Sequence, residues 1–469
     1  MLILLVVFFT RVVDLGYNSP FNDEAIYAVV GKMGLYYGDW ESMNPFSWIG
    51  GIPFLYPAIS GFFYSMGGII LVRLVNVFFF TASLFFFWKI AFLLLNAQSK
   101  KVNVFSLLPV IALGFSATGY YVSGLATYDM PSFFFFILGL YFLVLANKKR
   151  KRLGNYYFLS SIFLILGFYF KYTIGVFLPA IIIFSYLYIK NKNQKRFWII
   201  YFLIPVAVGL LGLLLIKIGD LETFYQGQVR EREKDSVGNI LAVFLQETNY
   251  SLVLFALGSA GFFLKKRFKE WLIISLAPII ILLVHLVSLR VPTLDKHVLF
   301  AVGAFGLIGG LGMNLIYGSI KEVKDKQDFK SVVIFLLVLY CGLSVNRYYK
   351  YHDLWENTYS VLDRLEDLAN KDDIVLTNLG APVQLALFER TYPTNIFTSD
   401  WIYYEGFTHI EAAKRGVGDG YFRIIALEGK KDWMSEDNLK LHETITANMD
   451  ETYSLVWKDK DYEIYLRKY

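Results

Sequence analysis

The chain has 469 residues and a single cysteine, Cys341. That excludes an intrachain disulfide and any cysteine-based metal cluster. Charge is also scarce: Asp, Glu, Lys and Arg make up 18% of residues, against 56% hydrophobic. A water-soluble protein of this length has no use for so much apolar surface, whereas a lipid-embedded one does. There is no internal repeat and no low-complexity linker. No cleavable signal peptide is evident either, because Met1 to Val13 is apolar with neither a basic start nor a small-residue cleavage site. This stretch reads as a first transmembrane helix, short for a bilayer that needs about 20 residues per helix. Either the true start lies upstream or the helix continues toward Tyr17.

Aromatic residues are plentiful, with 43 Phe suited to lipid-facing helices and 33 Tyr suited to the headgroup interface. Net charge is +6, but the basic residues sit in short loops between hydrophobic segments, so this is a topology signal and not a nucleic-acid footprint. Eleven membrane helices are expected, at 1–15, 71–95, 104–122, 131–147, 156–170, 173–190, 197–217, 239–264, 271–289, 298–317 and 331–346. One set of loops carries Lys100-Lys101, Lys148 to Arg152, Lys190 to Arg196, Lys265 to Lys269 and Lys321 to Lys330. These hold 19 Lys and Arg, and the alternate loops roughly a third as many, which makes the basic set cytoplasmic. The N-terminus is then inside and the C-terminus outside.

Two outer segments are large. Residues 16–70 are too polar and turn-rich to span. There Asn22 can cap a helix with Asp23 and Glu24 in its first turn, and Ile26, Val29, Val30 and Met33 recur at helical spacing, predicting a helix flat on the membrane surface. Gly50-Gly51-Ile52-Pro53 breaks the chain, and Tyr56-Pro57 starts a second interfacial helix leading to Arg73. The tail, residues 347–469, is charged and mixed in composition. Strands are expected at Asp373 to Thr377 and Tyr421 to Leu427, a helix at Ala381 to Phe388, and a hairpin from Tyr453–Trp457 and Tyr462–Arg467. The domain reading is therefore 1–346 as a membrane all-α helical bundle and 347–469 as a small extracytoplasmic α/β domain.

Charges near lipid are costly and cluster only where they are paired or used. Outside the cytoplasmic loops they gather at the outer face: Asp23, Glu24, Arg73, Asp129, Lys171, Glu222, Arg230, Arg232, Arg290, Asp295, Lys296 and His297. Helix centres read as nearly free of acids, with His285 and Lys89 the main polar exceptions. A transporter places its site near the midplane, among broken helices and buried charges. An enzyme acting on a lipid phosphate needs polar groups at headgroup level: a carboxylate to take a proton from a hydroxyl, and cations or a divalent metal to neutralise the leaving phosphate. Asp23, Glu24 and Asp129 suit the first need; Arg73, Lys171, Arg290 and Lys296 suit the second.

These residues resemble those of the GT-C superfamily of polyprenyl-phosphate-sugar-dependent glycosyltransferases, in the branch of protein O-mannosyltransferases and lipid A aminoarabinose transferases. The resemblance covers roughly residues 10–315 and rests on Phe21-Asn22-Asp23-Glu24-Ala25-Ile26-Tyr27, Gly51 to Pro57, Gly67-Gly68 with Val72-Arg73-Leu74, Tyr128-Asp129-Met130-Pro131 and Phe170-Lys171-Tyr172. It implies a multi-pass GT-C-type bundle and a membrane glycosyltransferase of the cell envelope. Such an enzyme moves a sugar from a polyprenyl-phosphate donor to a glycan, lipid or protein acceptor. It implies Asp23 as general base or metal ligand, Glu24 as its orienting partner, Asp129 as the second acidic site and a possible ligand of a divalent ion, and Arg73 and Lys171 as donor-phosphate contacts. Tyr56-Pro57-Ala58-Ile59 departs from the His-Pro-Pro-Leu-like stretch of many relatives, which removes a histidine role there, and Arg290 to His297 matches only loosely.

Structural readings stand beside these. Asp23 and Glu24 can simply favour a helix N-terminus, worth about 0.3–1 kcal/mol. Asp129 can be a cap, Arg73 an interfacial anchor, His285 a satisfied buried histidine and Arg230 to Lys234 a solvated loop. The alternative functions are a lipid-linked-sugar transporter or flippase, and a receptor whose tail is the working part.

Overall fold

The computed structural model describes residues 2–95, 104–148, 152–220, 222–223, 234–352, 355–398, 401–429 and 436–468. Lys100-Lys101, most of the basic loop after Lys148, and Arg230 and Arg232 lie outside them. Close packing divides the chain into two compact units. One comprises residues 1–15, 46–55 and 70–354; the other comprises 16–45, 56–69 and 355–469. Two stretches of the first outer segment, 16–45 and 56–69, group with the tail in this division.

The first unit is a bundle of apolar helices: α1 (Leu2–Val12), the part of α3 (Leu55–Leu95) from residue 70 on, α4 (Leu108–Gly114), α5 (Ala117–Gly124), α6 (Asp129–Lys148), α7 (Leu153–Phe170), α8 (Leu178–Leu187), α9 (Lys192–Lys217), α10 (Val237–Leu264), α11 (Phe268–Ser288), α12 (Leu294–Tyr317) and α13 (Val323–His352). The second unit contributes α2 (Asn22–Lys32) to the chain order. Eight helices among the described residues are long and apolar enough to cross a membrane, or nine if the bent pair Val104–Gly114 and Ala117–Gly124 is one span. The expected eleven are not reached among the described residues. Leu2–Val12 and Tyr172–Leu187 occupy two of the expected positions, but at 1.5 Å per residue neither covers a hydrocarbon core of about 30 Å.

In lipid there is little hydrophobic drive between helices, so close backbone approach and buried hydroxyls hold them together. Gly258 and Gly261 of α10 meet Gly309 and Gly312 of α12. A Cβ on Gly312 would lie 1.8 Å from the Gly258 carbonyl oxygen, and one on Gly261 would lie 2.0 Å from that of Gly312. Between α6 and α7, Ser160 donates to the Gly139 carbonyl (2.9 Å) and Ser132 to that of Gly167 (3.0 Å). The 60° bend between α4 and α5 frees carbonyls, and Arg11 of α1 satisfies one. Its guanidinium donates to Gly114 O (2.6 Å) and Ser123 Oγ (2.7 Å), and stacks on Tyr120 at 4.1 Å.

The helix expected to start at Tyr56-Pro57 is present as the first part of α3. It is separated from the rest by Gly67 and by Gly68, whose φ of 63° and ψ of −164° suit glycine alone. In the second unit α2 is not an amphipathic surface helix. Glu24 to Lys32 are all buried. A Cβ on Gly31 would lie 1.8 Å from the Pro57 carbonyl oxygen, so α2 lies directly against the first part of α3.

The tail contributes α14 (Tyr359–Leu368), β1 (Val375–Thr377), α15 (Ala381–Ala386), β2 (Ile396–Phe397), β3 (Tyr403–Tyr404), β4 (Phe407–Thr408), α16 (His409–Gly418), β5 (Ile424–Glu428), α17 (Glu436–Asn448), β6 (Tyr453–Lys458) and β7 (Tyr462–Arg467). Its main sheet has the order β2-β1-β5-β7-β6. The β2, β1 and β5 strands run parallel, and β7 and β6 are antiparallel additions. Side chains alternate across it. Val375, Ile424 and Ala426 face α14 and α15, while Leu376, Ile425 and Leu427 face α16 and α17. The result is an α/β/α sandwich, with the expected strands and hairpin in place.

Candidate active site

The sequence candidates fall into separate groups. In the bundle, Asp129 opens α6 and Lys171 ends α7. The loop before Asp129 is pinned by Asn76, whose amide donates to Leu125 O (2.5 Å) and Thr127 O (2.8 Å). The turn at Lys171 is pinned by residues 50–52: Tyr172 N donates to Gly50 O and Ile52 N to Tyr169 O, each at 2.7 Å. Gly51 permits this approach, since a Cβ there would lie 2.3 Å from Phe170 O.

So held, the Lys171 ammonium forms an ion pair with one oxygen of Asp129, and Thr127 donates to the other at 2.8 Å. Both partners are buried, and the ammonium also lies 5.1 Å from the centre of the Tyr128 ring. A desolvated pair with its remaining lone pairs satisfied is the arrangement in which burying two charges is tolerable. Lys296 and His297, at the start of α12, lie within electrostatic reach of Asp129, as Asp295 does of Lys296 and Asp129.

A chain of imidazoles adjoins this cluster. His285 Nδ1 lies 2.6 Å from Arg290 O, His285 Nε2 lies 3.0 Å from His297 Nδ1, and His297 Nε2 lies 3.1 Å from Thr173 Oγ1. A carbonyl only accepts, so His285 Nδ1 carries the hydrogen. With both rings neutral, His297 Nδ1 then donates to His285, and the Thr173 hydroxyl donates to His297. His285 is thus satisfied on both nitrogens, as the structural reading expected.

In the second unit, α2 begins at the acid pair. Glu24 is fully buried and its carboxylate accepts the Phe21 amide at 2.8 Å, the return half of a capping box. Asp23 is half-buried in the first turn. Asn22 Oδ1 accepts the Ala381 amide at 2.9 Å. Arg73, expected at the donor phosphate, is fully buried in the bundle and donates to Leu15 O (2.8 Å). Arg290 is half-buried, its carbonyl committed to His285.

Three features escaped the sequence reading. Thr127 and Thr173 are ordinary residues until their partners are known. Glu247 is an acid inside an expected span, contrary to the reading that helix centres lack them. It pairs with Arg347 at 2.6 Å and accepts from Thr118 at 3.3 Å. Its position in an apolar run was itself the missed signal.

A divalent ion at Asp23 and Asp129 does not fit these side chains. Both Asp129 oxygens are engaged, and among the described residues no group of three or more His, Cys, Asp or Glu could hold a metal.

An apolar cavity of about 420 Å³ runs along α3, α6, α8, α11 and α12. Its lining includes Phe133, one turn after Asp129, and Phe300, one turn after His297, as well as Asn147, Lys148 and Arg267.

Comparison with solved structures decides the fold. ArnT from Cupriavidus metallidurans superposes with a TM-score of 0.67 in its apo state, at 11% identity over 98% of this chain and 96% of that one. The chain has the fold of ArnT. ArnT bound to undecaprenyl phosphate gives a TM-score of 0.65 at 10% identity, covering 99% and 97% of the two chains. The arabinofuranosyltransferase AftD from Mycobacteria gives 0.56 at 12% identity, over 99% of this chain and 40% of that one. The family model for dolichyl-phosphate-mannose-protein mannosyltransferases matches residues 53–217. No curated protein sequence gives a significant match.

Proposed function

We propose that this GT-C protein is an inverting glycosyltransferase that takes a sugar from a polyprenyl phosphate at the outer face of the membrane. The observation that supports this most is the Asp129–Lys171 ion pair, with Lys296 and His297 beside it at helix ends, one helical turn from the phenylalanines of an apolar cavity. A lipid phosphate has that same division, with a charged head and an apolar tail.

The proposed reaction is a single displacement. The acceptor hydroxyl oxygen attacks the anomeric carbon, the bond from that carbon to the phosphate oxygen breaks, and polyprenyl phosphate leaves. Asp23 takes the hydroxyl proton. It lies in the first turn of α2, and the resemblance carried by the Phe21–Tyr27 stretch supports it as the base. Lys171 and Lys296 stabilise the phosphate as charge develops on it. The cavity holds the isoprenoid tail. No step is routed through a metal, because both Asp129 oxygens are engaged and the described residues hold no group of three or more His, Cys, Asp or Glu that could bind one.

The purified protein, incubated with a panel of radiolabelled polyprenyl-phosphate sugars, should consume one and yield a glycosidic product. Asp23→Asn should abolish transfer while leaving the protein folded and inserted. Consumption of none of the panel, or full activity in Asp23→Asn, overturns the reading or the role of Asp23 respectively. The proposed orientation puts residue 23 and the tail outside and the N-terminus inside. A cysteine introduced at residue 23 should therefore react with an impermeant reagent added from outside.

A further inference from the structure

Open α/β sheets take their ligands at the carboxyl ends of parallel strands, where the chain leaves one strand and returns on its other side. In the tail that place is the end of β1, which has β2 on one flank and β5 on the other. The edge is built for a close approach. Asn378 zips β1 to β5 by accepting the Glu428 amide at 2.7 Å, and Gly380 turns the chain at φ 77°. What occupies the edge is a side chain of the protein itself. Asn22 Oδ1 sits 2.9 Å from the first amide of α15, and a Cβ on Gly380 would lie 2.6 Å from it.

Asn22 is the residue before Asp23. Other bonds from the tail hold the flanks of the same segment. Upstream, Asn18 donates to Trp355 O (2.8 Å), Trp355 Nε1 to Ser19 O (3.0 Å) and Thr358 N to Ser19 Oγ (3.0 Å). Downstream, Lys32 pairs with Glu389 (3.1 Å) and Tyr392 donates to Asp39 (2.6 Å). All of these residues belong to one compact unit.

We propose that the α/β layer of the tail is a platform that positions Asp23, and that Asn22, seated at the end of β1, is the positioning residue through which it acts. This rests on the reading of Asp23 as the base. A general base must be held within a fraction of an ångström of its proton, and a misplacement of about 1 Å costs up to ~100-fold in rate. The tail grips the peptide unit next to that base, and no donor contact in the proposed mechanism involves Asn22. Loosening the grip therefore lowers turnover and leaves donor affinity alone.

The test uses full-length protein and the polyprenyl-phosphate sugar that the wild type consumes. Asn22→Ala should lower kcat per folded molecule by ~10- to 100-fold with donor KM unchanged. Asn22→Asp, which keeps an acceptor oxygen for the Ala381 amide, should recover most of the loss. Gly380→Ala, which pushes on Oδ1, should lower kcat in the same way, and the Asn22→Ala/Gly380→Ala pair should lose no more than the worse single variant. Wild-type kcat in Asn22→Ala, or a loss seen equally in kcat and KM, or no recovery in Asn22→Asp, overturns the proposal. If Asn22→Ala yields no folded protein, Trp355→Phe takes its place, removing one upstream bond. It should lower kcat more mildly with KM unchanged, and an unchanged kcat there is equally fatal. Asp23→Asn run alongside separates the two readings. Activity in Asp23→Asn removes the base, whereas an inert Asp23→Asn beside a fully active Asn22→Ala keeps the base and removes the platform.

Discussion

Lys171 and Asp129 stand 42 residues apart and form an ion pair whose side chains are only 10% and 9% exposed. Each is placed by a different device, Asp129 by the Asn76 anchor and Lys171 by the Gly50–Ile52 strap. Removing one partner leaves the other buried and uncompensated. Lys171→Met should therefore destabilise the protein by about 3–5 kcal/mol, while the Lys171→Met/Asp129→Asn pair should regain most of that. Denaturation of the two single variants and the double in detergent measures the coupling.

The Glu247–Arg347 pair is partly buried in the bundle but lies outside the proposed mechanism. Replacing both with leucine removes the two charges together, which is often near neutral. The double variant should fold and retain sugar transfer. A folded double variant that has lost all function would favour the transporter reading, in which an intramembrane acid is required.

The α10–α12 crossing depends on glycine. At Gly258 a Cβ would lie 2.3 Å from Ile308 O, so Gly258→Val must drive the two helices apart. The yield of monodisperse protein on size exclusion should collapse for Gly258→Val. Gly124→Ala, with nothing within 4 Å of the new Cβ, should behave as wild type there.

Asp39 supplies a pH dependence. Burial pushes its pKa up, but the Ser42 and Tyr392 hydroxyls and the amides of Ser42 and Glu41 outweigh that and hold it down at about 2. Its folded pKa is below the ordinary 3.8, so its contribution to stability is complete above about pH 4 and is lost as pH falls through about 2. Tyr392→Phe removes one of these donors. The stability difference between wild type and Tyr392→Phe, measured by unfolding, should be present at neutral pH and shrink across that acid window.

The strands of the tail were legible because β1 and β5 are short apolar runs bounded by polar and turn residues, and because the β6–β7 hairpin is two β-rich runs around a polar turn. Most membrane helices were legible from apolar run length alone. The count of spans was not, since run length does not say where a helix ends, and the helices at Leu2–Val12 and Tyr172–Leu187 end short of a bilayer. The face of α2 was misread because its apolar spacing matches both a helix lying on lipid and one enclosed by protein. The Gly31–Pro57 approach and the tail contacts make it the second.

The candidate site divides in the same way. By itself the sequence determined the chemistry on offer, because charges are too costly near lipid to persist without a use. Asp23, Asp129, Lys171 and Lys296 stand out wherever the chain goes afterwards. Only the tertiary structure decided how each is used. Glu24 caps a helix, Arg73 binds a backbone carbonyl, Asp129 is bound to Lys171, and Asn22 bonds to an amide 359 residues away. A side chain's role depends on its hydrogen-bond partners, and partners distant in sequence are chosen by folding.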